Sequence, residues 1–285
     1  MPGDVVVIAR EFTDCEVPCQ LVDDLQPCHA IRMISPDTLL ERGSNGGTEG
    51  RSIVLSFDDF DVLTFDCYGT LIDWETGLWA ALHPILAQHH IALAMDEALA
   101  LYGTLESEVE RGPYRAYRMV LRMVLEGFGV RLGFVPTATE LEHFAASVPA
   151  WPPFPDSAPA LQALHKKYQF AIISNIDDDQ FAMSAQHLHV QFDWIITAQQ
   201  AQSYKPSLHN FHMALARIGV PPQKILHVAQ SLYHDIAPAR TLGLSTVWIN
   251  RRHAQPGFGA TPPAQTQPDL EVPDMRTLAE QIGAL

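Results

Sequence analysis

The chain has 285 residues, 47% of them hydrophobic, and a formal net charge of -15 at pH 7. This length suits one or two globular domains with a packed core. The negative charge argues against a nucleic-acid or anionic-membrane partner, because a phosphate backbone requires clustered Lys and Arg. No stretch reaches the ~18 apolar residues of a membrane span, and residues 5–9 are too short for a signal-peptide core. We therefore expect a cytoplasmic protein.

The first 50 residues read as an N-terminal arm and linker of unknown role. Residues 5–8 are apolar enough for a strand, and residues 42–50 are rich in Gly, as is typical of a flexible linker. Three of the four cysteines lie in this arm without the paired spacing of a zinc site. Residues 52–57 then alternate well enough to predict a peripheral strand.

A short buried strand at residues 62–65 ends abruptly at Asp66. Gly69 permits the sharp turn that follows, so Asp66 is predicted at the carboxyl end of the strand, where ligands of open α/β sheets bind. An ionised Asp in such a crevice, beside the Thr70 hydroxyl, suits a nucleophile that forms a covalent ester. The alternative is an Asp that merely caps a turn.

A block of helices follows. Apolar residues at three- and four-residue spacing predict four helices, at residues 78–89, 96–109, 114–128 and 139–148. Prolines at residues 151–155 then cannot continue a helix. The four helices are expected to form a bundle inserted directly after Asp66.

From residue 157 onward, strands and helices alternate. The predicted strands lie at residues 170–173, 194–197, 225–228 and 246–249, with predicted helices between them. This order predicts an α/β fold, a doubly wound parallel (Rossmann-like) sheet with an inserted helical cap domain. The predicted domains are an arm at residues 1–50, a core at 51–75 and 152–285, and a cap at 76–151.

Polar side chains follow several predicted strands. Ser174 and Asn175 follow one, Asp235 follows another, and Lys205 precedes a helix in a Tyr-Lys-Pro loop. A hydroxyl and N–H groups that converge at such an edge suit an anionic group, although Ser174 could also cap the next turn. The acidic run at residues 177–179 fits a helix N-terminus better than a metal site.

The sequence Phe65-Asp66-Cys67-Tyr68-Gly69-Thr70-Leu71 resembles the first motif of the haloacid dehalogenase (HAD) superfamily, in particular its 2-haloacid dehalogenase-like (type II) branch. The resemblance extends from residue 61 to the C-terminus. It implies that Asp66 is the nucleophile, that Lys205 neutralises charge, and that Asp235 positions or deprotonates the hydrolytic water. It also implies that five residues bind substrate, namely Tyr68, Thr70, Ser174, Asn175 and Ser231.

Several positions depart from the family pattern. Tyr68 stands where phosphatases of this superfamily carry an acid that protonates the leaving alcohol, and a phenol with a pKa near ~10 is a poor substitute. Because a halide needs no such proton, Tyr68 favours displacement at carbon. Gln230 replaces the first acid of the loop that ends at Asp235, and Phe211 stands where the dehalogenases carry a tyrosine.

An arginine that the dehalogenases place early in the cap is absent at the matching position, Tyr102-Gly103. Four cap arginines are candidates to replace it, and a solvated helix face is the favoured alternative for them. These residues are Arg111, Arg115, Arg118 and Arg122.

Together these observations predict a hydrolase that forms an aspartyl ester and removes halide from a 2-haloacid-like small carboxylate. The alternatives are hydrolysis of a phosphate ester or another metabolite, and a binding protein on a decayed scaffold. No cofactor is expected to be required. The loss of acids at Tyr68 and Gln230 weakens a magnesium site without excluding it. The expected partner is a small anionic molecule. The sequence is compatible with a homodimer.

Overall fold

The structure, a computed structural model, describes residues 55–253, 260–261 and 263–285. The predicted arm at residues 1–50, with its strand at residues 5–8, lies outside these ranges. No helix in the described part of the chain is long and apolar enough to cross a membrane.

Within the described residues, six parallel strands form one sheet in the order β3-β2-β1-β4-β5-β6. The strands are β1 (Val62–Phe65), β2 (Gln169–Ser174), β3 (Trp194–Thr197), β4 (Ile225–Ala229), β5 (Ser245–Ile249) and β6 (Leu270–Val272). The parallel α/β sheet predicted from the sequence is confirmed, and β1 to β5 lie within a residue of their predicted bounds. The strand β6 is missing from the prediction, because three residues at a sheet edge leave too short a pattern.

The predicted peripheral strand at residues 52–57 is wrong where it can be compared. Leu55 and Ser56 are irregular, and Phe57–Asp59 forms a single 3-10 turn. The chain enters β1 from this turn, whose Phe57 carbonyl accepts a hydrogen bond from the Tyr168 hydroxyl at 3.1 Å.

The central strand β1 pairs with β2 on one side and β4 on the other, and all four of its residues are buried. Both faces are covered, which is why the strand reads as a continuous apolar run. Leu63 and Phe65 belong to the larger apolar cluster and Val62 to a smaller one on the opposite face. The chain order reverses at β1, so the residue after it opens into the crevice where doubly wound sheets bind ligands.

Four helices lie between β1 and β2 in the chain, and we call them the helical insertion. They are α1 (Trp74–Gln88), α2 (Met95–Glu110), α3 (Tyr117–Leu132) and α4 (Ala138–Ala145). All four predicted helices are present. Asp73 begins α1 by accepting a hydrogen bond from the Thr76 backbone N–H at 3.1 Å, and Thr137 with Glu140 forms a capping box at α4. Whether the insertion acts as a separate cap domain stays a prediction.

The remaining helices flank the sheet. They are α5 (Ser157–Leu164), α6 (Asp178–Ala185), α7 (Ala198–Ala201), α8 (Leu208–Ile218), α9 (Ala237–Thr241) and α10 (Met275–Gln281). A π-helical turn, Leu232–Ile236, leads into α9.

A buried carboxylate joins the sheet to the helical insertion. Asp177, just after β2, accepts hydrogen bonds from the backbone N–H groups of Tyr117 at 2.9 Å and Arg118 at 3.2 Å. It therefore caps α3, whose own N-cap residue, Ala116, has no side-chain acceptor. The acidic run does lie at a helix N-terminus, but its first member stabilises a helix from another part of the chain.

We expect Asp177→Ala to lower the free energy of unfolding by about 1–2 kcal/mol, because two N–H groups of α3 lose their acceptor. The matched control is Asp179→Ala, which removes an exposed ion pair with Arg118 and should cost less than about 0.5 kcal/mol. Urea denaturation of both variants measures the difference. Equal losses in the two variants would contradict the capping role.

Candidate active site

Asp66 is the first residue after β1, and the chain then enters a tight turn. Gly69 has a φ of 94°, a left-handed conformation that favours glycine, and a Cβ there would lie 2.9 Å from Trp74 Nε1. The turn brings the Thr70 hydroxyl back to donate a hydrogen bond to Asp66 Oδ2 at 2.7 Å. Thr70 Oγ1 in turn accepts a hydrogen bond from the Gln230 backbone N–H at 2.9 Å, so the loop is fixed to the end of β4.

Lys205 lies between two carboxylates. Its Nζ donates hydrogen bonds to Asp66 Oδ1 at 2.9 Å, Asp235 Oδ1 at 2.7 Å and the Ile173 carbonyl at 2.7 Å. These three acceptors use all three N–H groups of an ammonium. The lysine is only 2% exposed. The structure thus brings the three residues that the sequence singled out for catalysis into direct contact.

The charges of this group depend on one another. Burial opposes ionisation of Lys205, but Asp235 and Asp66 outweigh it and raise the pKa of the lysine, which keeps it an ammonium. Burial also opposes ionisation of Asp235, yet Lys205 and His227 lower its pKa. The pKa of Asp66 is raised, in contrast to that of Asp235. Burial is the main cause, and the negative charge of Asp235 adds to the effect. Asp235 is thus the more firmly ionised of the two carboxylates.

His227 supports Asp235 from inside the sheet, a role that the sequence did not reveal. Its Nε2 lies 3.2 Å from Asp235 Oδ1, and its Nδ1 lies 2.8 Å from the Thr64 hydroxyl on β1. Since an ionised carboxylate can only accept, Nε2 carries a proton and donates a hydrogen bond to Asp235. Phe211 packs edge-on against this imidazole. The feature of the sequence that could have indicated this role is a histidine in the middle of β4, a strand whose residues are all buried.

A small cavity of about 50 Å³ opens above these residues. Two buried oxygens of the site have no hydrogen-bond partner among the described residues, Ser174 Oγ and Asp235 Oδ2. Buried polar atoms in native proteins are normally paired, so both are suited to a substrate or a water.

The structure gives three of the expected substrate-binding side chains other contacts. Asn175 accepts from the Lys205 backbone N–H at 2.7 Å and donates to the Lys205 carbonyl at 3.1 Å, so its amide positions the lysine. Ser231 Oγ accepts from the His234 backbone N–H at 2.8 Å. The Tyr68 hydroxyl lies 2.9 Å from Ser184 Oγ, and burial raises the pKa of this phenol well above its usual range. All three residues still line the cavity.

A model of the haloacid dehalogenase-like hydrolase family matches residues 60–243. The chain belongs to this family. It is 27% identical over 222 residues to (S)-2-haloacid dehalogenase 4A from Burkholderia cepacia, across 72% of this chain and 89% of the relative. It is also 25% identical to glyceraldehyde 3-phosphate phosphatase from Methanothermobacter thermautotrophicus, across 68% of this chain and 84% of that protein.

A crystal structure of an L-2-haloacid dehalogenase shares the fold of this hydrolase. The TM-score is 0.67 at 24% identity, and the match covers 79% of this chain and 100% of the other.

Asp66 and Asp235 are the carboxylates at the strand ends of this hydrolase that could contribute to a magnesium site. Magnesium requires hard oxygen ligands, yet both site carboxylates already bind the Lys205 ammonium, and Tyr68 and Gln230 occupy positions where acids are often found. In the part of the chain that the structure describes, no group of three or more His, Cys, Asp or Glu is arranged to hold a metal. Lys205 supplies one positive charge to these two carboxylates.

On the side of the helical insertion, the hydrolase has acids where a cation was expected. None of the four candidate arginines lines the cavity; Arg118 and Arg122 pair instead with the exposed acids Asp179 and Glu142. The position matched to the family arginine is closed, because a Cβ on Gly103 would lie 2.2 Å from the Ala260 carbonyl oxygen. The insertion contributes four residues to the cavity wall, namely Trp74, Glu106, Glu110 and Tyr117.

We expect Lys205→Met to reduce the free energy of unfolding of the hydrolase by about 3–5 kcal/mol, because two buried carboxylates lose their shared cation. Adding Asp235→Asn should recover part of this loss by removing one of the two charges. Lys167→Met is the control, since it removes an exposed pair with Asp58 and should cost less than about 1 kcal/mol. Urea denaturation measures all three; a loss under about 1 kcal/mol for Lys205→Met would contradict the buried charge arrangement.

Proposed function

We propose that this hydrolase removes halide from a 2-haloacid-like small carboxylate through an ester of Asp66. The observation that carries the proposal is the Lys205 ammonium held between Asp66 and Asp235, beneath a cavity in which Ser174 Oγ has no protein partner. The kinship with 2-haloacid dehalogenases supports this choice of substrate.

In the first step, an Asp66 carboxylate oxygen attacks the carbon that bears the halogen. The new C–O bond forms as the C–halogen bond breaks, and the halide leaves with the bonding electron pair. The Lys205 ammonium donates a hydrogen bond to Asp66 Oδ1. Its positive charge opposes the effect of burial, so the Asp66 carboxylate can stay ionised. The Ser174 hydroxyl holds the substrate carboxylate.

In the second step, water attacks the carbonyl carbon of the Asp66 ester. Asp235 accepts a proton from this water through Oδ2, the carboxylate oxygen that no described residue occupies. The bond between the carbonyl carbon and the ester oxygen then breaks, and that oxygen takes the proton back from Asp235, which releases a 2-hydroxyacid and restores Asp66 with one oxygen derived from the solvent. His227 and Lys205 hold Asp235 by its other oxygen, so the base is fixed in place.

Displacement at carbon suits this site better than phosphate ester hydrolysis. A leaving alkoxide requires a proton, whereas Tyr68 sits where the acid would be, with its hydroxyl near Ser184 and a raised pKa. The assembled group of Asp66, Lys205 and Asp235 argues against a binding protein on a decayed scaffold. We also propose that the hydrolase is cytoplasmic, that its partner is a small anionic molecule and that it requires no metal, as the sequence analysis predicts.

Asp66→Asn should reduce chloride release from 2-chloropropionate by roughly 10⁴-fold or more, because the amide cannot form the ester. Asp58→Asn is the control: this residue is exposed, pairs with Lys167 and should leave the rate unchanged. Chloride release is measured by ion chromatography on each enantiomer. Turnover by Asp66→Asn at the wild-type rate would exclude the proposed route.

Phosphate ester hydrolysis is the second candidate. Asp235 is retained at the spacing of the phosphatase motif, and a phosphatase is among the relatives.

Chelation separates the two candidates. Chloride release should be unaffected by EDTA, because Lys205 rather than a metal balances the charge of Asp66. Hydrolysis of an aryl phosphate that requires added Mg²⁺, without any halide release, would instead favour the second candidate.

A further inference from the structure

Glu106 lies on α2 at the wall of the active-site cavity, which Asp66 also lines. The residue is 8% exposed, which is unusual for an acid without a cationic partner. Tyr102 donates to Glu106 Oε1 at 3.0 Å, and Tyr117 donates to the same oxygen at 2.8 Å. No described residue bonds Oε2, so this second oxygen is free to interact with a ligand.

The tyrosine pair fixes the orientation of the acid. The two hydroxyl oxygens are 2.9 Å apart, and both tyrosines are buried. With Oε1 committed to them, the carboxyl group can present only Oε2 to other molecules. A tyrosine on α2 and another on α3 are required for this arrangement, so the packing of the two helices creates it.

Glu106 holds its proton more tightly than a solvated glutamic acid does. Burial raises the pKa of Glu106 to about 7, although the hydrogen bonds from Tyr117 and Tyr102 oppose the effect. Burial and the charge of Glu106 raise the pKa of Glu110, one helical turn away. The other titratable groups of the cavity wall are Tyr68, Lys205, His234, Asp66 and Asp235. Arg111 and Tyr204 line an adjoining pocket that shares Glu110, Lys205 and His234 with the cavity.

In a displacement at carbon the halide leaves on the side of the carbon away from the attacking Asp66 oxygen, and Glu106 is a carboxyl group that the helical insertion adds to the wall of the same cavity. The four candidate arginines lie outside that cavity, and Gly103 leaves no room for one at the matched position. An ionised Glu106 would repel both the substrate carboxylate and the departing halide. A protonated Glu106 can instead donate a hydrogen bond from Oε2 to the halide.

We propose that protonated Glu106 is a catalytic residue that donates a hydrogen bond to the leaving halide as Asp66 attacks the substrate carbon. The inference rests on the proposed function. The C–halogen bond breaks, the halide keeps the electron pair, and the Glu106 proton stays on Oε2 within the hydrogen bond. A neutral hydrogen-bond donor, protonated Glu106, thus takes the place of the arginine that the family resemblance implies.

The pH dependence of kcat/KM for 2-chloropropionate tests this role. Wild-type activity should fall about tenfold per pH unit above the Glu106 pKa, because ionisation removes the donor. Glu106→Gln keeps a neutral N–H donor and should lose this alkaline fall. Glu106→Ala should be slower by about 10²–10³-fold at pH 6. Glu108→Gln, an exposed residue of the same helix that pairs with Arg131, is the control and should match wild type.

Two further readouts separate donation from a structural role. Tyr102→Phe removes a hydrogen bond that lowers the Glu106 pKa, so the alkaline fall should move to higher pH. The loss in Glu106→Ala should be greater for 2-chloropropionate than for 2-bromopropionate, because chloride is the poorer leaving group and the stronger hydrogen-bond acceptor.

An alkaline fall that persists in Glu106→Gln, or a wild-type rate that rises through pH 7, would overturn the role of Glu106. Chloride release that depends on Asp66 but not on Glu106 would overturn this inference and leave the proposed function intact. No chloride release by the wild type at any pH would overturn both.

Discussion

The site depends on one ammonium group between two buried carboxylates. Burial opposes the ionised forms of Asp66 and Asp235, and the positive charge of Lys205 stabilises both. The two carboxylates in turn keep the buried lysine protonated. The three residues come from the ends of β1 and β4 and from the loop before α8, so this contact also joins three distant segments of the chain. Asn175 fixes the lysine backbone and His227 fixes Asp235.

The two walls of the cavity have different chemistry. The sheet side supplies charge: a nucleophilic carboxylate, its cation and a second carboxylate. The helical insertion supplies buried carboxyl and phenol groups that burial holds in their protonated forms. Asp177 connects the two sides by capping α3, so the helix that carries Tyr117 is positioned by a residue that follows β2. Stability and site geometry are therefore coupled through a single buried side chain.

The sheet and the group of Asp66, Lys205 and Asp235 could be predicted from the sequence because both leave local patterns. A strand buried on both faces is a continuous apolar run, and each site residue follows such a run or precedes a helix. His227 and Glu106 could not be assigned in this way. Their roles depend on partners brought by other elements, Thr64 across the sheet and Tyr117 on the neighbouring helix, and Glu106 alone resembles a solvated helical acid. The predicted substrate-binding roles of Asn175 and Ser231 stay predictions, and the backbone contacts of their side chains likewise could not be read from the sequence.

The central claim is that Asp66 becomes the ester and that water restores it. A single turnover of excess enzyme with 2-chloropropionate in oxygen-18 water tests this claim directly. The account predicts that the Asp66 peptide gains one oxygen-18 atom while the first molecules of product contain none from the solvent. Oxygen-18 in the product with an unlabelled Asp66 peptide would contradict it, because water would then have attacked the substrate carbon itself.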